Sequence, residues 1–569
     1  MANTSPAVIT REFDLSLVVE QAGSSIGATV GLFEWGPVNQ PVLVNNSQTL
    51  ANYFGSPSDT YFTDWFSVYN FLAYTNGTYV VRVAPDGTGD STIAGNSVAA
   101  ATDTGLGTAV TYDLGSEAAV YIENEDDYLS QQNTLETTTD NVFIAKYPGV
   151  NGNKITVSMV DQTNFTGWTY EDAFNIVPET DEVMVAILYD GSVVETFVGK
   201  QDSTAVSPSG GSAYLEEIIN RSSEYIKVVG DNIFFTVDPS DYTPSTASGS
   251  VYRPINVTAP LVLGTDGNFS TAEDAIRIVG WGNYLNVEDI EVDLLYAGGA
   301  SPLVSQSIIQ NVAEVRQDCI VFVSPRFEDI VGIKSADTIS TNIVATRQTF
   351  SSTSYAAMDT NYKYQYDQFN DKYRWLPMNG DIAGLHARTE TQRDAWWAAG
   401  GFNRGHIKNV QRLAWSPDKT YRDVMVKNNM NPIYTAKGDG PVFFGNETLL
   451  NQNSAFGKIN VRRLFNVLKR SIAVFARQQL FEFNDRFTRN NFKQSVEPFL
   501  RQVQARRGLQ DFRVVADESN NTAQVIDNSE FVGDIYLKPA RAIETIYLNF
   551  VAVKTSVDFQ EITLNQAEV

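Results

Sequence analysis

Strand and helix signals alternate over residues 26–85, stop, and resume over residues 257–385. This interruption constrains the fold most, because a strand–helix alternation builds one parallel sheet only if its two halves come back together. In the first half, GATVGLFEWGP carries a strand into a turn and PVLVNN is a short strand. TDWFSVYNFLAYTNG is a helix closed by Asn76-Gly77, and TYVVRVAP is a buried strand. In the second half, Ser270-Thr271-Ala272-Glu273 forms a capping box that opens a helix. EDIEVDLLYA is a strand, and SPLVSQSIIQNVAEVRQ is a helix whose core face holds Val304, Ile308, Val312 and Val315. CIVFVSP is the next strand.

From about Asp86 the interrupting stretch is rich in Gly, Thr, Ser, Ala and acid, which reads as a linker into an inserted module. ENEDDYLS, Glu123–Ser130, reads as a solvated acidic loop; it lacks the glycine and downstream glutamate of a calcium-binding loop. Residues 140–250 are mostly β, with hairpin signals at Asn151-Gly152 and Asp190-Gly191 and one helix over Ser212–Ile226. SDYTPSTASGS is the linker out. The fold class expected is therefore multidomain α/β and α+β. The α/β core covers 23–97 and 256–385, and a β-rich outer module is inserted at 98–255. A C-terminal α+β domain spans 386–545.

Both chain ends are strand-forming. Near the start, Ile9, Phe13, Leu15, Leu17 and Val19 alternate with Thr10, Glu12, Asp14 and Ser16. Near the finish, AIETIYLNFVAVKTSVDFQEI is β-branched and aromatic with no glycine or proline; it contains Ile546, Leu548, Phe550, Val553, Val557 and Phe559. Termini fray unless something holds them. Residues 1–22 and 546–569 are expected to be arms, paired either within the chain's own sheet or with neighbouring subunits by strand addition.

Charge is unevenly placed. The chain carries net −26, yet residues 1–400 hold 18 basic and 50 acidic side chains, and residues 401–510 hold 19 basic and 7 acidic. Much of the excess lies on INVRRLFNVLKRSIAVFAR. There Val461, Leu464, Phe465, Leu468, Ile472 and Phe475 mark a core face, and Arg463, Arg470 and Arg477 recur at seven-residue steps. An ideal helix drifts only about 20° per seven residues, so the three form a stripe, widened by Arg462 and Lys469. The expectation is an outward cationic stripe that meets an acidic protein surface. Reversing Arg463 and Arg470 to Glu is then expected to leave the subunit folded. The acidic remainder disfavours nucleic acid as the partner.

Catalytic signals are thin. His386 and His406 are in no metal-ligand spacing, and no G-x-S-x-G elbow occurs. Cys319 is the only cysteine, so no intrachain disulfide is possible. AGGAS, Ala297–Ser301, sits where a phosphate loop would, but it matches neither G-x-G-x-x-G nor G-x-x-x-x-G-K-[ST]. No secretory signal and no run of about eighteen apolar residues is present, so membrane insertion is not expected.

Several stretches, in order, resemble the contractile tail sheath of myovirus-type bacteriophages. They are GATVGLFEWGPVNQPVLVNN, YFGSP, YVVRVAP, AKYPGVNGNKITVSM, VVETFVGKQD and SAYLEEIINRSSEYI. SYAAMDTNYKYQYD, RWLPMNGDIAGLHARTE, GFNRGHIKNVQRLAW, NNMNPIYTAKGDGPVFFGNETLL, INVRRLFNVLKRSI and FEFNDRFTR follow. The resemblance implies a structural subunit without catalysis or cofactor. It polymerises helically around a tail tube in the virion, contracts to push the tube through the host envelope, and is assembled in the host cytoplasm. The partners implied are the chain itself, the tube protein, and baseplate and tail terminator proteins. The C-terminal domain and arms are expected innermost, and the stripe Arg462, Arg463, Lys469, Arg470, Arg477 is expected to face the tube. The alternatives are the sheath of a non-phage injection device, or an α/β hydrolase or nucleotide-binding enzyme built on 257–385.

Overall fold

The computed structural model of the chain describes residues 25–87, 91–99, 120–138, 143–202, 204–229, 256–269, 271–544 and 546–547. The two α/β stretches do rejoin. A six-stranded central sheet has the order Ala356–Met358, Ile320–Val323, Leu294–Tyr296, Gly27–Gly31, Thr78–Arg82, Val42–Val44. The first five strands run parallel and the last antiparallel. The halves join where Gly27 and Ala28 pair with Leu294 and Leu295. Helices cover both faces, so these strands are apolar without interruption, and alternate residues serve opposite cores. Leu295, Val321 and Val323 pack with Trp281, Val304 and Ile308 on one face. Leu294, Tyr296, Ile320 and Phe322 pack with Trp65, Phe71 and Ile382 on the other. Gly27 permits that closeness, because a Cβ there would lie 2.5 Å from the Phe71 ring.

The inserted stretch forms a separate antiparallel sheet of seven strands, which Val98–Ala99 and Asn256–Val262 also join. Asp190 and Gly191 turn its longest hairpin with φ of 49° and 77°, as their sequence predicts. Asn151-Gly152 does not make a hairpin. Its two residues are buried within a 3₁₀ turn, Val150–Lys154, between strands that do not pair with each other. The stretch expected to be an acidic loop opens a helix, Glu125–Thr138. Asn124 accepts from the Asp127 amide and Asp127 accepts from that of Glu123, while the acids of the first turn favour the helix N-terminus.

Two further readings shift. The helix expected to end at Asn76-Gly77 ends at Leu72. The helix that starts at Pro302 contains a π turn, Ile308–Ala313, which re-phases its last turn. Val304, Ile308 and Val312 are buried as expected, but Arg316 is buried in place of Val315, which is exposed. The helix expected from the capping box runs Glu273–Trp281; Ser270 lies outside the described residues.

Beyond the central sheet come a three-stranded sheet, Lys372–Pro377, Tyr362–Asp367 and Arg412–Leu413, and a hairpin, Ile433–Ala436 with Gly440–Phe443. Two long helices follow, Ile459–Arg477 (the arginine helix) and Arg486–Ala505, and then a two-stranded C-terminal hairpin, Leu509–Val515 with Asp534–Pro539. Leu464, Leu468 and Phe475 of the arginine helix pack with Val496, Leu500, Leu509 and Val514 in one core. Among the described residues no helix is long and apolar enough to cross a membrane. Arm residues Ile9, Phe13, Leu15, Leu17, Leu548, Phe550, Val553, Val557 and Phe559 lie outside the described residues.

Candidate assembly interface

The arginine helix has the expected core face: Val461, Leu464, Leu468 and Phe475 are buried, and Phe465 and Ile472 half-buried. The stripe is real, but most of it points inward, a correction to the outward surface expected from the sequence. Arg463 is 2% exposed; its guanidinium donates to the His386 carbonyl at 2.9 Å and pairs with Glu390 at 2.7 Å. Arg470 pairs with Asp293 and Asp318 and donates to the Val292 carbonyl. Asp293 directly precedes the strand Leu294–Tyr296 and Asp318 lies two residues before Ile320–Val323, so one guanidinium clamps the starts of two neighbouring parallel strands. Arg462 is buried between the Tyr355 and Phe456 rings, 4.2 and 4.1 Å from their centroids, and donates to Ser354.

The reason is that a buried charge must be paired, and three carboxylates distant in sequence meet the stripe. The double reversal of Arg463 and Arg470 would set carboxylate against carboxylate there, so loss of folding replaces a folded subunit as its expected outcome. Burial pushes the Asp293 carboxyl up to about 7 although Arg470 pulls it the other way. Lys469 and Arg477 remain at the surface. The Lys469 ammonium donates to the Gln317 carbonyl at 3.0 Å.

Two other surfaces are open. The C-terminal hairpin pairs only with itself, so both its outer edges lack a strand partner among the described residues. A groove of about 400 Å³ runs between its Leu509–Val515 strand and helix Arg486–Ala505, lined by Lys493, Arg501 and Arg513 together with Glu497, Asp511 and Asp517. After the hairpin Ile543, Ile546 and Tyr547 are exposed, and Glu544 pairs with Lys458 at 2.7 Å. The second surface is the turn between the long helices, where Leu480, Phe481, Phe483 and Phe487 are exposed. Sequence reasoning passed over it. The available signal was an aromatic cluster, FEFNDRF, just past the point where the helical apolar period stops.

Groups on the central domain that a catalytic reading would draw on are either hydrogen-bonded within the chain or buried. In the AGGAS turn, Gly299 donates its amide to Asp64 at 2.7 Å, and the same carboxylate accepts from the Leu32 amide and from Arg277. An internal anion therefore sits where a phosphate would be held. Ser324, at the end of a central strand, accepts from the amides of Met378 and Asn379 and donates to Asp359, which leaves its hydroxyl saturated. His386 is buried and held neutral, since burial lowers its pKa. Burial likewise pushes the Cys319 thiol up. Among the described residues no group of three or more His, Cys, Asp or Glu is placed to hold a metal ion.

Residues 282–449 match the family model described as the phage tail sheath protein central domain, and residues 451–552 match the phage tail sheath C-terminal domain. The chain is 31% identical to the tail sheath protein of Vibrio phage KVP40, over 99% of this chain and 100% of that one. It is 30% identical to the tail sheath protein of Enterobacteria phage T4, over 99% of each. Among solved structures, a sheath tail protein from Listeria innocua aligns with TM-score 0.53 at 12% identity, over 92% of this chain and 97% of that one. The contracted sheath complex of an extracellular contractile injection system aligns with TM-score 0.51 at 12% identity, over 99% of each. At those identities the two structures speak to the fold alone. The near end-to-end sequence matches go further: the chain belongs to the phage tail sheath protein family.

Proposed function

We propose that this chain is the repeating subunit of a contractile phage tail sheath. It polymerises helically around a tail tube, and the polymer shortens to drive the tube through the host envelope. The observation that carries this reading is a C-terminal hairpin with two open edges, on a chain that matches tail sheath proteins from end to end. The long helices hold the hairpin from one face, and its open edges invite strand addition. The strand-forming arms, residues 1–22 and 546–569, supply candidate strands, donated by neighbouring copies. At four to six backbone hydrogen bonds per arm and about 1 kcal/mol net for each, one arm is a moderate link. Repetition over a lattice makes it strong.

In this reading the C-terminal domain 386–545 is the inner, self-associating layer and the acidic insert lies outside. The tube, baseplate and tail terminator proteins are the other partners. The subunit is assembled in the host cytoplasm, works in the virion and carries no catalysis. Its phage setting is favoured over a non-phage injection device because the relatives at 30% identity and above are phage proteins.

Negative-stain microscopy of the full-length chain tests the proposal. Tubes or stacked rings are expected, and deletion of residues 1–20 or of 548–569 is expected to give soluble monomers. Polymers of normal length from either deletion would refute arm exchange. A compact monomer with hydrolytic turnover would refute the sheath reading itself.

A further inference from the structure

The three-stranded sheet and the helix Asn379–Gln392 meet over one buried pair. The Lys363 ammonium, on the strand Tyr362–Asp367, lies 2.9 Å from Oδ1 of Asp381, in the first turn of that helix. Lys363 is 0% exposed and Asp381 1%. Every other lysine–carboxylate pair among the described residues has at least one side chain open to solvent. The buried arginine pairs differ in kind, because a guanidinium keeps its proton and is no nucleophile.

The hydrogen bonds around the pair are lopsided. Oδ1 also accepts from the Tyr74 hydroxyl at 3.0 Å, and the Tyr74 oxygen accepts from the Lys408 amide at 2.7 Å, which leaves the phenol proton to Asp381. The Lys363 Nζ donates as well to the Lys408 carbonyl at 3.2 Å. Oδ2, by contrast, is buried with no hydrogen-bond partner among the described residues. A bare carboxylate oxygen away from water is costly, and burial moves both groups toward their neutral forms. It lowers the pKa of the lysine and raises that of the aspartate. A neutral amine against a neutral carboxyl is a nucleophile held against an electrophile. Fixed contact of that kind is worth effective concentrations of about 10⁵–10⁸ M.

We propose that Lys363 and Asp381 condense into an intramolecular isopeptide bond. Nζ bonds to Cγ and the Cγ–Oδ2 bond breaks. The carboxyl proton and one amine proton leave with Oδ2 as water. The Tyr74 hydroxyl faces the oxygen that turns negative in the tetrahedral intermediate and stabilises it. The product satisfies the site: Oδ1 stays as the amide oxygen under Tyr74, and the remaining N–H donates to the Lys408 carbonyl. The atom that departs is the one without a partner. Hydrolysis would need water to re-enter a site that the chain closes. The bond rings residues 363–381, which include the strand Lys372–Pro377. It fastens them to the helix that carries Glu390 and the His386 carbonyl, the groups that hold Arg463. A load drawn through the arginine helix thus reaches the sheet by a covalent link.

The test is the mass of the purified full-length chain and of its protease fragments under denaturing conditions. The chain is expected to be lighter than its sequence by one water, and a branched peptide is expected to join positions 363 and 381. Lys363→Arg is expected to restore the full mass. Tyr74→Phe is expected to slow the appearance of the branched peptide after refolding roughly a hundredfold. Full mass and a free Lys363 peptide in the folded wild type would overturn the proposal. So would a loss of water without the branched peptide, the mark of a cyclic imide at an aspartate, or a deficit that persists in Lys363→Arg. An unchanged rate in Tyr74→Phe would overturn the part given to the phenol. The bond does not depend on polymerisation, so its absence leaves the sheath reading standing.

Discussion

Arg470 and Arg477 lie seven residues apart on one helix, have the same chemistry and behave in opposite ways. Arg470 is enclosed between Asp293 and Asp318 and holds the helix against the central sheet. Arg477 stands in the last turn, exposed, at the entry to an apolar turn that nothing in the chain covers among the described residues. The seam around Arg463 and Arg470 is finished within one chain. The helix end, the turn and the C-terminal hairpin are unfinished there: an aromatic is bare and two strand edges are unpaired. Closed charge in one region and open apolar surface in the next is what a building block needs, a body that survives force and an end that combines. The sequence period alone cannot separate these roles, since it sets which residues share a face but not what comes to lie opposite.

The largest expected effect breaks the closed side. Arg463→Glu with Arg470→Glu sets new carboxylates against Glu390, Asp293 and Asp318 inside the fold. Breaking one buried pair costs about 3–5 kcal/mol. Two reversed pairs exceed that, so the variant is expected in inclusion bodies, or as a protein whose C-terminal helices are cut early in limited proteolysis. A soluble double variant with the wild-type digestion pattern would show that the seam does not hold the domains together.

A smaller effect sharpens the same seam. Burial places the Asp293 carboxyl at about 7, above its value near 4 in an unfolded chain. Between those values the folded state binds the proton more tightly. The group's contribution to stability is thus complete below about pH 4 and is lost as pH rises through about 7, with a slope of at most about 1.4 kcal/mol per pH unit. Asp359, also buried with a carboxyl at about 7, acts in the same direction. Denaturant midpoints at pH 6 and pH 8.5 are expected to show a loss at the higher pH, smaller in Asp293→Asn than in the wild type. Equal losses in both would remove Asp293 from the account.

Much of this architecture was legible in the sequence. The split α/β pattern belongs to one sheet, parallel but for its edge strand Val42–Val44, because a sheet buried on both faces writes itself as apolar runs such as TYVVRVAP and CIVFVSP. Asp190-Gly191 gave its hairpin, since few residues besides these accept left-handed backbone. The acidic stretch after Tyr121 was misjudged because its acids cap a helix rather than avoid one. Val315 was misplaced because a π turn leaves no mark on the apolar period. The stripe was misassigned for a deeper reason: Asp293 and Asp318 lie 177 and 152 residues from Arg470, and Glu390 lies 73 residues from Arg463. Only the assembled sheet brings them to the helix. The turn at Phe481 was invisible as a surface because no local rule says when a phenylalanine lies uncovered.

The smallest expected effect tests the open side. Arg477 lies at the C-terminal end of its helix, where a positive charge offsets the helix dipole by about 0.3–1 kcal/mol, an interaction that salt screens. Arg477→Ala is therefore expected to shift the denaturant midpoint slightly at low ionic strength and not measurably at 1 M salt. The same substitution at position 470 would persist in salt, because buried pairs are screened far less. If both alanine variants lose stability equally and both losses survive high salt, Arg477 is as enclosed as Arg470, and the division of this helix into a sealed part and a combining end fails. If only the loss from Arg470→Ala survives salt, the helix divides into a sealed part and an exposed end.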